Sequence, residues 1–431
     1  MVQHRNAQSF PLPSNKDVFR QQLLTWCNQF SYACLLDSRE FTSDYSEVDV
    51  LAAVGNTPLI PNGTPIAEAF QYLEHCKDWI FGHLGYHAFH PCYGLPQPKI
   101  DSADFSHYFF FCPETVVQIQ QESITLLTFH SNPEIIFQEI LQINPTAGSS
   151  LQRAISFKPV LSRAEYIHQI NEIITHIKRG DCYELNFCQP FDAKNMVVDP
   201  TDAFRQLMQI SPNPFSCYYK QNNRYVLGAS PERFLQKKGD ILRSQPIKGT
   251  IKRNLSDAVK DEQLKETLLE SPKNRSENIM VVDLVRNDLS TICKEGTVKV
   301  TELLGVYSFP QVHQLISTVE GVVLPETTLF EILSHTFPMG SMKGAPKKRV
   351  LELIDEIEPT YRGIYSGSIG YIKPNQDFDF NVVIRSLVYL PEKKLLRFHV
   401  GGGITAGSDP EQEYDECLLK GKALQQIRIA E

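Results

Sequence analysis

No run of 18 apolar residues occurs in the chain, so no segment is long enough to span a bilayer as a helix. The polar start, Met1-Val2-Gln3-His4-Arg5-Asn6, lacks the form of a secretion signal. The ten cysteines include no C-x-x-C pair, which argues against structural zinc or a redox pair. Buried free thiols in a reducing cytosol are the plain reading, and a cytoplasmic location is expected. The G-x-x-x-x-G-K-[ST] spacing of a nucleotide P-loop is missing, and no repeat of fixed length is visible. A net charge of -8 argues against a nucleic-acid partner. What is present is 431 residues, 42% of them hydrophobic, enough to bury a sizeable core in one large domain or two or three ordinary ones.

Residues 16–30 suit a short helix with Val18, Phe19, Leu23 and Trp26 on one side, and 32–38 a buried strand ending in a turn. A helix is expected over 65–80, with 81–86 as a glycine-rich turn into a strand. The proline-rich stretch 87–101 reads as loop, and 108–113, 115–119 and 123–130 as strands. A break at 144–150 divides an N-terminal region, 1–150, from a second region, 151–431. Ser162-Arg163-Ala164-Glu165 is a capping box opening a helix with Ile167, Ile170, Ile173, Ile174 and Ile177 on its apolar stripe. Cys182 to Phe187 then alternates as a strand, in which Glu184 reads as core-forming first. Further helices are expected over 256–270, 273–288 and from Pro346, and strands over 307–318, 365–371, 381–386 and 395–400.

Phe234 to Leu242 reads as strand, tight turn, strand, and Ser230-Pro231-Glu232-Arg233 precedes it. If the turn centres on Lys238-Gly239, Lys248 lies opposite Ala229. Glu232 is then within about 10 Å along the partner strand, at roughly 3.4 Å per residue. An acid beside a poised amine is a common catalytic arrangement, but from this stretch alone an ordinary surface ion pair is the favoured reading. Glu277 borders a dense apolar run and wants a partner or a metal. Glu413 and Glu416 share a helix face with Lys420: a solvated charge stripe, or with Glu277 an oxygen-ligand cluster. Arg385 in an apolar strand needs an anion or a structural carboxylate, and Gly401-Gly402-Gly403 lets backbone N–H groups approach a ligand.

Pro246-Ile247-Lys248-Gly249-Thr250 resembles the PIKGT signature of aminodeoxychorismate synthase component I, the para-aminobenzoate (folate-pathway) branch of the chorismate-utilising enzymes. The resemblance runs from about Leu161 to the C-terminus. It includes the G-D-x-Y-Q-x-N segment with Glu184 in the glutamine's place, and the K-x-x-x-E-[HN]-x-M-x-V-D-L-x-R-N-D block at Lys273–Asp288. It also includes the G-[ST]-x-x-G-A-P-K loop, with Lys343, at the second x, replacing a usual threonine or serine. It implies an α+β fold, a large sandwich of mainly antiparallel β-sheets with helices packed outside. The implied reaction is amination of chorismate by ammonia to 4-amino-4-deoxychorismate. Lys248 would be the nucleophile at C2 and Glu232 the acid/base at the C4 hydroxyl.

The same resemblance implies Mg2+ on Glu277 and Glu416, with Glu413 acting through water. Substrate carboxylates would fall to Tyr365, Arg385 and Gly401 to Gly403, with Gly249 and Thr250 closing the pocket. Gln314 stands where the family has a histidine near the ring; the adjacent His313 points to the opposite face. Lys248 must be neutral to attack, so burial or a cationic neighbour is expected to lower its pKa. A tryptophan-like pocket would involve Ser38, Tyr45, Ser46 and the stretch to Val48, with Pro214, Phe215 and Ser216; a core strand with a capped turn is the other reading. The expected partner is a glutamine amidotransferase subunit, since no glutaminase segment is visible, nor a lyase extension. Anthranilate synthase component I, usually alanine at the Lys248 position, is the nearest rival. Isochorismate or salicylate synthase, and a non-catalytic tryptophan- or chorismate-binding regulatory subunit, are the others.

Overall fold

Most central strands are buried on both faces, the pattern of a sheet covered above and below. In strand Val50–Gly55, Val50, Ala52 and Val54 pack into one apolar cluster while Leu51 and Ala53 pack into another. That parity split, applied along the chain, produces the layers of the computed structural model, which describes residues 4–39, 41, 48–145 and 152–430.

A 12-stranded and a nine-stranded sheet, antiparallel throughout, lie face to face. Between them sit Cys34, Leu51, Val116, Tyr219 and Val226 of the larger sheet against Phe81, Phe109, Phe111 and Ile369 of the smaller. Helices Lys16–Cys27, Pro133–Gln142, Arg163–Arg179, Pro200–Ile210, Lys347–Ile357 and Pro410–Gly421 cover the outer face of the larger sheet. Helices Ile66–His75, Pro272–Ser290 and Leu329–Thr336 cover the smaller. The fold is therefore the α+β sandwich that the strand-rich sequence and the resemblance imply. Strands from before and after residue 150 pair within both sheets: Tyr32–Asp37 with Phe215–Gln221 in the larger, Ile80–Leu84 with Ser368–Ile372 in the smaller. No helix among the described residues is long and apolar enough to cross a membrane.

The capping box forms as read, with the Ser162 hydroxyl and the Glu165 carboxylate exchanging bonds with each other's backbone N–H, and Gly180 ends that helix at φ +92°. Four expectations are corrected. Ile80–Leu84 is itself a strand, buried along its length, and the turn follows it. Residues 307–318 are two strands, Lys299–Ser308 and Val312–Val322, joined by a tight turn. Strand Ser368–Ile372 starts three residues after Tyr365. Arg385 is not inside a strand; it lies between Phe378–Asn381 of the smaller sheet and Ser386–Leu390 of the larger, at φ +49°.

Candidate active site

Two adjacent links between the sheets position the first pair of groups. One runs from strand Arg224–Ser230 in the larger sheet to Arg233–Lys238 in the smaller and carries Glu232. The other is the return link that carries Arg385. They are zipped by backbone bonds: the Ala229 N–H donates to the Arg385 carbonyl (3.1 Å) and the Val382 N–H to the Glu232 carbonyl (3.0 Å). Arg385 thus holds a backbone conformation unusual for a residue with a side chain, which is a common mark of functional positions. Its half-buried guanidinium has no hydrogen-bond or ion-pair partner among the described residues. Burial lowers its pKa and Glu232 opposes that shift.

Glu232 is 4% exposed, and its Oε1 accepts a 2.7 Å hydrogen bond from the Ser341 hydroxyl. Burial pushes its pKa up to about 7, although Ser341, Lys248, the Ile247 N–H and Arg385 all pull the other way. A carboxyl so poised is divided between acid and base near neutrality.

Lys248 does not sit opposite Ala229 on a continuous hairpin. The turn centres on Gly239-Asp240, strand Ile241–Gln245 ends opposite Arg233, and Pro246 follows, with no N–H to continue the ladder. Strand Ile247–Lys252 pairs instead with Val312–Val322. Asn278 holds this junction by donating its amide to the carbonyls of Lys248 and Leu315 (both 3.3 Å) while accepting from the Ser317 hydroxyl (2.6 Å).

The Lys248 ammonium donates to Glu184 Oε1 at 3.0 Å. Glu184 is 3% exposed, and its Oε2 has no hydrogen-bond partner. Gly403 lies beside this pair; a Cβ there would overlap the Glu184 carboxylate and come 2.5 Å from the lysine nitrogen. The expected lowering of the Lys248 pKa is overturned. Burial does lower it, but Glu184, Glu277 and Glu232 outweigh burial and hold the amine above the ordinary lysine range.

Glu277, on helix Pro272–Ser290, has its pKa raised by burial, lowered by Lys248 and Lys273, and raised again by Glu184 and Glu416. Glu416 pairs with Lys420 at 2.9 Å, which holds its carboxyl below the usual range. Glu413, 5% exposed, accepts from the Ser408 hydroxyl at 2.9 Å, and its Oε2 would lie 3.4 Å from a Cβ at Gly402. The Lys273 ammonium stands 3.9 Å from Glu277 and 3.7 Å from Glu413. The oxygens of these three glutamates do not all come within 4.8 Å of one another. Oxygen donors around a cationic side chain nonetheless suit a hard cation, and magnesium takes only one or two protein carboxylates and keeps waters.

Around this centre, Gly249 takes φ +96°, and a Cβ there would press on Asn274 at 3.2 Å. Thr250 pairs in register with Gln314, whose amide nitrogen donates to the threonine hydroxyl (3.2 Å); the Gln314 Oε1 is buried without a partner. His313 faces away, bonded to Ser308 (2.9 Å) and Asp261 (3.1 Å). Tyr365, 3% exposed, stacks on His399 with centroids 4.7 Å apart, and the Cys188 thiol lies 3.9 Å from its hydroxyl. Gly401 is opposite Cys188 in the larger sheet.

Ser38, Val48, Pro214 and Phe215 line a separate cavity with Arg233, Asp379 and Asn381, and the Ser38 hydroxyl is buried without a partner. Ser216 does not line it, because its hydroxyl donates to the Asn213 carbonyl (2.7 Å). Tyr45 and Ser46 lie outside the described residues.

Sequence reasoning singled out neither Ser341 nor the role of Glu184. A polar residue at the glycine-loop position matching the family's [ST] was the available signal for Ser341, and an acid in place of a glutamine was the signal for Glu184.

A family model described as chorismate binding enzyme matches residues 39–426. The chain belongs to that family. It is 34% identical to an anthranilate synthase component I-like protein of Synechocystis over 82% of this chain and 73% of the relative. It is 39% identical to the chloroplastic aminodeoxychorismate synthase of Arabidopsis thaliana over 65% of this chain, a match that spans about a third (31%) of that longer protein. It is 27% identical to aminodeoxychorismate synthase component 1 of Bacillus subtilis over 99% of this chain and 97% of the relative. In fold it is similar to the menaquinone-specific isochorismate synthase of Escherichia coli, with a TM-score of 0.78 at 20% identity over 98% and 95% of the two chains.

Proposed function

We propose that this chain is the synthase component that converts chorismate and ammonia to 4-amino-4-deoxychorismate, with ammonia supplied by a separate glutamine amidotransferase subunit. The observation that carries the reading is the buried amine of Lys248 among carboxylates, with Glu232 poised near pH 7 at the same seam. Relatives named aminodeoxychorismate synthase in a plant and a bacterium support it. Lys248, where anthranilate synthases usually carry alanine, argues against the rival that the Synechocystis relative's name suggests.

The amine first gives up a proton, and Glu184 at 3.0 Å is the nearest acceptor. The neutral nitrogen then adds at C2 of the ring as the C4–oxygen bond breaks, and protonated Glu232 delivers its proton so that water leaves. Ammonia adds at C4 as the bond from C2 to the lysine breaks, and the Glu232 carboxylate takes the proton the new amine sheds. The unpartnered Arg385 guanidinium, the Gly401–Gly403 backbone, Tyr365, and the Gly249-Thr250-Gln314 edge would hold the substrate's carboxylates and ring. Glu277 and Glu416, with Glu413 at one remove, would hold magnesium, which supplies a fixed positive charge for a ring carboxylate. The cavity at Ser38, Pro214 and Phe215 would take a tryptophan-like effector.

The test is Lys248→Ala assayed with ammonium, magnesium and chorismate, with products separated by chromatography and identified by mass. Loss or redirection of amination is expected. An unchanged rate and product would remove Lys248 as nucleophile, and anthranilate or isochorismate from the unmodified chain would replace the reading.

A further inference from the structure

Away from the site, His87, His90 and Asp355 each offer one ligand atom within 4.8 Å of the other two, the one such group of three or more His, Cys, Asp or Glu residues among the described residues. His87 and His90 sit three apart where the chain leaves strand Ile80–Leu84 and enters the 3-10 turn His90–Tyr93; the His90 N–H bonds the His87 carbonyl (3.2 Å). The two imidazole rings lie together, with centroids 4.5 Å apart. Asp355 comes from helix Lys347–Ile357.

The separations are informative. His87 Nε2 lies 3.3 Å from Asp355 Oδ1, and His90 Nε2 lies 3.4 Å from Oδ2. Two ligands on a tetrahedral zinc ion, with bonds of about 2.0–2.1 Å, stand about 3.3–3.4 Å apart. His87 hydrogen-bonds the carboxylate at that distance. The His90 ring is fully buried and approaches the other oxygen without forming a hydrogen bond, and its Nδ1 has no partner at all. A buried imidazole so held is costly, and ligation would satisfy one of its nitrogens. The Asp355 side chain keeps 22% exposure, and Tyr361, itself exposed, flanks the His87 ring at 5.6 Å, so solvent reaches the mouth.

We propose that His87, His90 and Asp355 bind a divalent transition ion of the zinc class, with water as the fourth ligand. No cysteine takes part, which is why the cysteine spacing gives no sign of it. The ion would clip the turn after strand Ile80–Leu84 to helix Lys347–Ile357. Tyr86, next to His87, lies under the Arg362 guanidinium (4.3 Å), which donates to the carbonyls of Met342 (2.6 Å) and Asn186 (2.7 Å). The clip therefore braces backbone beside Ser341 and Glu184 without touching the reaction, and it stands or falls independently of the proposed activity.

The test uses the full chain, stripped by chelator and titrated with zinc alone while excess magnesium occupies carboxylate sites. One equivalent should bind and raise the melting temperature. Cobalt in its place should show the intense visible bands of a tetrahedral nitrogen- and oxygen-ligated ion. His90→Ala and Asp355→Asn should each weaken binding by about 100-fold or more. If His90→Ala fails to fold by circular dichroism, the partly exposed Asp355→Asn decides. Absence of zinc binding, or equal affinity in Asp355→Asn, overturns the proposal.

Discussion

Two regions that hold partly or fully buried lysine amines treat them in opposite ways. Around Lys248 one ammonium meets Glu184, Glu277 and Glu232, and their sum outweighs burial, so the amine stays charged. Around Asp288 two ammoniums share one carboxylate. Lys343 donates to it at 3.1 Å, while Lys347 stands 3.8 Å away, donates to the His335 carbonyl (2.7 Å) and lies over the Tyr93 ring (5.1 Å). There burial, reinforced by Lys343, overrides Asp288 and brings the Lys347 pKa down to about 7. The ratio of carboxylates to amines, not depth alone, decides protonation. If Lys248 is the nucleophile proposed above, it is held as a cation and becomes reactive only when a proton leaves.

The sharpest way to break this comparison is to remove Glu232, the acid that the proposed reaction uses. Glu232→Gln should lower the rate of chorismate amination by about 10²–10⁴-fold while substrate binding persists; a rate within a few-fold of the parent would exclude a proton-transfer role. Next, Glu184→Gln takes away the carboxylate bonded to Lys248 and should lower that amine's pKa. Lys248 should then acylate faster at mildly alkaline pH, followed by peptide mass spectrometry. An unchanged modification rate would mean that Glu277 and Glu232 suffice.

Ser341→Ala removes a donor that favours ionised Glu232, so the Glu232 pKa should climb above its present value near 7. Because the acid form is needed, kcat/KM falls as pH rises through that value, and the falling limb should move to higher pH in the variant. A limb that stays or moves down would contradict the hydrogen bond's role. The smallest effect concerns Lys347. Its folded pKa lies below that of an unfolded lysine, so between about pH 7 and 10.5 the unfolded chain binds more protons and stability rises with pH. Lys347→Met should gain most over the parent at pH 7 and below, about 2 °C in Tm, and the gain should fade towards pH 10. A gain that does not vary with pH would point to packing instead.

The layers were legible in the sequence because they follow from local pattern. The Ser162/Glu165 box, the isoleucine stripe from Ile170 to Ile177 and the apolar strands each declare themselves within a few residues. The candidate site was legible at the level of signatures, since Lys248, Glu232 and Glu277 stand in recognisable blocks and Glu416 on the last helix. What the pattern could not carry was pairing across the chain. Nothing local shows that Pro246 ends one ladder and sends Lys248 to another strand, or that Arg385 sits between sheets. Glu184 alternates like a core residue, and only its side-chain contact with Lys248, beside Gly403, shows that it meets the amine. Lys343, which departs from the family's threonine or serine, is explained by Asp288 on another helix. His87 and Asp355 are 268 positions apart, a distance over which spacing says nothing.

The paired links that carry Glu232 and Arg385 have one more consequence. Their opposite side is the wall of the Ser38–Phe215 cavity: Arg233 follows Glu232 directly and lies over the Phe215 ring, and Asn381 donates its amide to the Phe215 carbonyl. The cavity and the buried Glu232 carboxyl are thus separated by these links alone, with the acid on one side and an arginine on the other. A change in what fills that cavity would bear on the backbone that carries Glu232 without passing through a further layer.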